Sequence, residues 1–222
     1  MDIYLEVGKT RAFAGALEWP GWCRSGRDEA STLQTILDYG PRYAKVLKDR
    51  QLEFRLPTSV SDLIVMERLA GNTTTDFGAP GIAPSFDSRP MDADELKRSQ
   101  VILEASWTAL DNIIRSAEGR ELRKGPRGGG RDLARIVEHV REAEIAYLGS
   151  LGGKFRPAAE EEPHQVDSAL RMEILSTLAA SARGEIPGRG PRGGLRWTPR
   201  YFVRRTAWHA LDHAWEIEDR VE

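Results

Sequence analysis

Apolar residues along the first ninety positions alternate over short runs, while those after Pro90 recur every three or four positions over long runs. A period near two marks a half-buried strand, and a period near 3.6 marks one face of a helix. Ile3 to Val7 and Arg11 to Leu17, around the turn-forming Gly8-Lys9-Thr10, therefore predict a β-hairpin. From Asp28 to about Lys48, Leu33, Ile36, Leu37, Tyr43, Ala44 and Leu47 keep mostly helical spacing, with Asp28 as cap and a kink or break near Gly40 caused by Pro41. Leu52 to Leu56 and Leu63 to Leu69 read as two further strands. The predicted order is β-β-α-β-β, a small α+β domain over residues 1–90 with one helix across a sheet. Its last twenty residues, 71–90, are rich in Gly, Pro, Thr, Asp and Ser, as a linker or an ordered covering loop would be.

The second domain, 91–222, is expected to be all α. Its first helix runs from about Ala93 to Ser116 behind the cap Asp92, with Val101, Leu103, Trp107, Leu110, Ile113 and Ile114 on its apolar side. The second spans Asp132 to Leu148 and turns Leu133, Ile136, Val140, Ala143 and Tyr147 inward. The third spans Gln165 to Ala182 with Leu170, Ile174, Leu175 and Leu178, and the fourth opens at Thr198-Pro199 and continues through Ile217. Four amphipathic helices of this length make a bundle.

Composition narrows the function classes. Among 222 residues, 32 basic and 34 acidic side chains leave a formal charge of −2, so the overall balance favours neither nucleic acid nor an anionic membrane. The one cysteine, Cys23, has no internal disulfide partner, and no apolar run is long enough to span a bilayer. With no secretory pattern at Met1-Asp2-Ile3, a cytoplasmic protein is expected. Cys23 sits in a compact turn, Trp19 to Gly26, and is expected to be a small buried apolar residue rather than a nucleophile.

Only four histidines occur, and two of them, His209 and His213, are four apart on the last helix, so both imidazoles lie on one face about a turn apart. His139 lies at a similar depth in the second helix and supplies a third donor at the same level. His164 follows Pro163 and is expected at the surface. Three imidazoles leave at least one position of a divalent ion open to water or a substrate thiol, which the ion would help deprotonate. Around them, Arg205 and Glu216 extend the same stripe and border the site. Glu216 is either a carboxylate that orients an imidazole or a plain surface group. Glu142, three residues from His139, is either a proton acceptor or half of a solvated ion pair with Arg141 or a neighbour. A repeated Gly-Pro-Arg-Gly-Gly motif places Arg127 before the second helix and Arg192 before the fourth. Both are either flexible turns or anion-holding loops at helix starts, able to bind a cofactor phosphate or carboxylate.

His139-Val140-Arg141-Glu142-Ala143-Glu144 together with His209-Ala210-Leu211-Asp212-His213 resembles the DinB-like superfamily, including its YfiT-like and maleylpyruvate isomerase-like members, over about Met91 to Glu222. That resemblance implies an up-down-down-up four-helix bundle, a divalent ion, zinc or nickel foremost, on the three histidines, and homodimers. It also implies a thiol S-transferase or hydrolase acting on a small-molecule substrate with a low-molecular-weight thiol such as mycothiol or bacillithiol. The competing expectation is a non-catalytic metal- or ligand-binding sensory protein, with a closed ion site. Pro20-Gly21-Trp22-Cys23-Arg24-Ser25-Gly26-Arg27-Asp28-Glu29-Ala30, after the hairpin, resembles the HicB-type α+β fold over Ile3 to Leu47, and this likeness carries fold only.

Overall fold

The computed structural model describes residues 1–124, 130–157 and 162–222. Strands β1 (Asp2–Val7), β2 (Ala12–Ala16), β3 (Cys23–Gly26) and β4 (Ile64–Ala70) form one sheet in the order β3-β2-β1-β4. The hairpin β1–β2 and the pair β2–β3 are antiparallel, whereas β4 returns to lie parallel to β1. Between β3 and β4 run α1 (Glu29–Asp38) and α2 (Gly40–Val46). Asp28 caps α1 through a hydrogen bond accepted from the Ser31 amide, and the chain breaks at Tyr39, just ahead of Gly40 and Pro41, as proline in a first turn requires.

Two expectations are corrected. The order is β-β-β-α-α-β rather than β-β-α-β-β. Cys23–Gly26, expected as a turn, pairs with β2 as β3. Leu52 to Leu56, expected as a strand, has no ladder partner. Its alternation has another cause: Phe54 packs against the rings of Trp19, Trp22 and Tyr43 at centroid distances of 4.9, 5.3 and 5.4 Å. One-sided burial of an extended segment produces the same period as a strand without any pairing.

Both faces of the sheet are covered. Ile3, Leu5, Ala14 and Ala16 share a face and a hydrophobic cluster with Ile36 of α1. Tyr4, Glu6, Phe13 and Gly15 share the other, which meets the last helix and the 71–90 segment. Gly15 is required there, because a Cβ would lie 2.4 Å from the Tyr4 ring. The 71–90 segment is an ordered covering loop: it carries α3 (Thr73–Phe77) and a 3₁₀ turn at Ser85–Ser88. The buried Glu6 carboxylate accepts from the Gly81 and Ile82 amides at 2.9 and 3.1 Å and from the Thr75 hydroxyl.

Four long helices follow: α4 (Ala93–Ala117), α5 (Leu133–Leu151), α6 (Pro163–Ala182) and α7 (Pro199–Arg220). Their caps match the sequence signals, with Asp92, Asp132 and Thr198 each accepting from the backbone amide three residues on. α7 packs on α4, α5 and α6 and also against the 3₁₀ turn of the covering loop. It is buried almost all round between Tyr201 and Leu211, so it is the central helix rather than a surface one. One hydrophobic cluster takes in β1, α1, α2 and all four long helices. Arg204 of α7 ties these parts together: its guanidinium bonds both Asp87 carboxylate oxygens at 2.7 Å and the Ala16 and Leu17 carbonyls at 2.7 and 2.8 Å. Among the described residues, no helix is long and apolar enough to cross a membrane.

Candidate metal centre

α5 and α7 lie side by side, and the spacing of their inward residues brings His139, His209 and His213 together. One ring nitrogen from each lies within 4.8 Å of the others. The ring centroids are 5.1 Å apart for His139 and His209, 5.0 Å for His139 and His213, and 4.6 Å for His209 and His213. His209 and His213 are buried at 6% and 8% exposure, and His139 is half-buried. The three-histidine expectation thus describes a real cluster, built from two helices.

The distance between the Nε2 atoms of His139 and His209 is 3.3 Å, within reach of an N–H···N hydrogen bond. It equals the edge of a tetrahedron around an ion with metal–nitrogen bonds of about 2.0–2.1 Å, which is about 3.3 Å. Electrostatics point the same way. Burial, then the neighbouring His213 and His139, hold His209 well below the usual histidine range. Burial, then Arg131 and His213, lower His139. Neutral imidazoles are the form that donates a lone pair to a cation.

Glu216 meets the cluster through one defined contact, its Oε2 accepting from His213 Nδ1 at 2.8 Å. That contact leaves Nε2 as the free ring nitrogen of His213 and restrains the ring, as a carboxylate behind a ligating histidine does. The His213 bond is the main reason the Glu216 carboxyl lies below the usual carboxylate range. Glu216 is itself held by Arg220, whose other nitrogens bond the Arg123 and Arg131 carbonyls at 2.9 Å. The arrangement favours the orienting alternative for Glu216 over a plain surface group. His209 differs, since its Nδ1 is buried without a hydrogen-bond partner among the described residues.

Arg205 is buried one turn before His209. It donates to the Pro80 carbonyl and, at 3.1 Å, to the Tyr147 hydroxyl, and its guanidinium lies 4.8 Å from the Trp208 ring centre. It borders the cluster and ties the covering loop to α7 and α5 through its two terminal nitrogens, while its buried Nε has no partner among the described residues. Glu142 is exposed on α5. Arg192 is exposed in a tight turn closed by the Gly190 amide on the Gly194 carbonyl, ahead of the Thr198 cap. Arg127 lies outside the described residues. His164 is exposed at the start of α6. Tyr147, expected only as an inward-facing residue of the second helix, has its ring centre 5.7 Å from that of His209. Its position eight residues after His139, about two helical turns along α5, carried the signal.

No family model, curated protein or solved structure matches the chain. The likenesses to DinB-like and HicB-type proteins therefore stand on the residues that suggested them. What the geometry itself offers is three converging nitrogen donors, two of them on the most buried helix, with one oriented by a carboxylate. Among the described residues, no fourth histidine, cysteine or carboxylate joins that group.

Proposed function

We propose that His139, His209 and His213 hold a divalent metal ion, zinc or nickel, and that the protein is a metal-dependent thiol S-transferase or hydrolase of the DinB-like kind acting on a small molecule. The observation that carries this reading is the convergence of three imidazole nitrogens within 4.8 Å without a fourth protein donor among the described residues. Closed structural zinc sites use four protein ligands, whereas catalytic sites keep a position for water or substrate. The packing of α7 on α4, α5 and α6, and of α6 on α5, supports a helical bundle with donors on neighbouring helices, for which the resemblance implies the up-down-down-up order.

An ion bound there supplies Lewis acidity, which lowers the pKa of a thiol or water. The chain's own residues do the rest. His209 and His213 offer their lone pairs from a helix locked by packing on several sides, so the donors are pre-positioned. Glu216 keeps His213 turned toward the cluster. The rings of Tyr147 and Trp208 stand beside His209 and exclude water from that flank. Arg205 holds the loop carbonyl of Pro80 and the Tyr147 hydroxyl in place, a positioning role rather than contact with reacting atoms. The sensory alternative requires a closed ion, and the three-donor set weighs against it.

Elemental analysis of the purified chain beside the variant with His139, His209 and His213 all changed to Ala tests the reading. About one equivalent of divalent metal in the first and none in the folded variant is expected. Equal metal content in both overturns it. A panel of small thiols and electrophiles then separates an enzyme from a sensor: metal-dependent turnover supports the first, and metal binding without turnover of any member supports the second.

A further inference from the structure

Away from the histidine cluster, a cavity of about 120 Å³ lies where the β2–β3 connection, the covering loop, α4 and α7 meet. Leu17, Pro20, Phe86, Met91 and Val203 give it an apolar body, and its polar wall carries three arginines, Arg98, Arg200 and Arg204, against three carboxylates, Glu18, Asp87 and Glu95, with Ser99 between. A wholly apolar cavity of roughly 150 Å³ takes up benzene; this one, at about 120 Å³ and with a polar wall, has room for most of a ring or a small branched alkyl group.

Its charges are unequally satisfied. Asp87 is committed to Arg204, and Glu95 to Arg200, which also donates to the Pro90 carbonyl at 2.8 Å. Arg98 has no carboxylate within 4.0 Å among the described residues; it donates to the Glu18 carbonyl and lies 4.1 Å over the Trp19 ring. Burial lowers its pKa from the usual arginine value, only partly countered by Tyr43, Glu18 and Glu95. A guanidinium taken partly out of water normally has a carboxylate partner. A ligand that brings one would complete the set, with its apolar part among Met91, Phe86 and Val203 and the Ser99 hydroxyl beside it.

We propose that this cavity is a binding site for a small monocarboxylate with an apolar body, held through Arg98. It is separate from the metal reading and stands or falls without it.

The probe is benzoate, with benzamide as its uncharged match, titrated into the full chain with a chelator present, so that carboxylate coordination to a metal does not contribute. Saturable one-to-one binding of benzoate, at least tenfold tighter than benzamide, is expected, with nuclear Overhauser contacts from the ring protons to Met91 and Val203 methyl groups. Arg98→Gln should reduce benzoate affinity tenfold or more and leave benzamide unchanged. Failure to saturate, equal affinity for the two probes, contacts at other residues, or dependence of binding on metal each overturns the proposal. Should Arg98→Gln not fold, the probe ratio and the contacts in the unaltered chain decide the matter.

Discussion

Replacing Asp87 with Asn tests how the sheet, the covering loop and α7 are joined. Asp87 is completely buried and forms a bidentate pair with Arg204, itself 4% exposed, through two bonds of 2.7 Å. Asparagine keeps the shape and one acceptor but removes the charge, so a buried guanidinium is left without its counter-ion. Breaking such a pair costs about 3–5 kcal/mol, a large share of the roughly 5–15 kcal/mol that folded proteins possess. For a chain of this size each kcal/mol shifts Tm by about 2–4 °C, so a fall of roughly 6–20 °C is expected. Urea and thermal unfolding of the single variants Asp87→Asn and Arg204→Gln and of their double variant would supply a thermodynamic cycle. A coupling of about 1–3 kcal/mol is expected. A loss below 1 kcal/mol in Asp87→Asn, or no coupling, would refute the reasoning and mean that water or relaxation compensates the pair.

The remaining expectations concern single groups. Burial, opposed by Arg171 and the Trp107 N–H at 2.7 Å, pushes the Glu144 carboxyl up to about 7. A carboxyl whose folded pKa exceeds its unfolded value near 4.3 binds its proton more tightly when folded, so stability is greatest below that value and declines as pH rises toward and through 7. Glu144→Gln should therefore gain up to about 3 kcal/mol at pH 8 and nothing at pH 4, and equal curves for both proteins would contradict this. Burial also pushes the Cys23 thiol up to about 12, so it should resist aromatic disulfide reagents at pH 8 until the protein unfolds. Rapid labelling of the native chain would show an open route to it. Glu216→Ala should weaken metal affinity about 10- to 100-fold, read by competition with a chelating dye, and an unchanged constant would deny the residue its orienting role. Gly15→Ala should cost about 1–3 kcal/mol in urea unfolding, because the new methyl meets the Tyr4 ring.

Helix positions were legible because their signals are local. Asp92, Asp132 and Thr198 announce their helices, and the periodic apolar residues that follow carry them. The histidines could be paired by depth because regular helices convert residue number into distance. β3 could not be read this way: four residues, Cys23-Arg24-Ser25-Gly26, have no strand-forming bias, and pairing with β2 alone makes them a strand. Leu52 to Leu56 failed in the opposite sense, since alternation reports burial of one side and not a hydrogen-bonded neighbour. The buried Arg204–Asp87 pair joins residues 117 apart and leaves no trace in either neighbourhood. Tyr147 and Arg205 border the cluster for the same kind of reason, with only Arg205 marked by its place in the α7 stripe.

The burial of α7 also bears on how fast a cation could come and go. His209 and His213 are fixed to a helix clamped by the sheet side, the covering loop and three other helices. His139 stands half-buried on α5, whose exposed residues alternate with its core positions. Capture and release would therefore proceed through a single swinging donor, with the α7 pair acting as a standing two-point cradle. Exchange half-lives, more than equilibrium affinity, would then register substitutions along the outer face of α5.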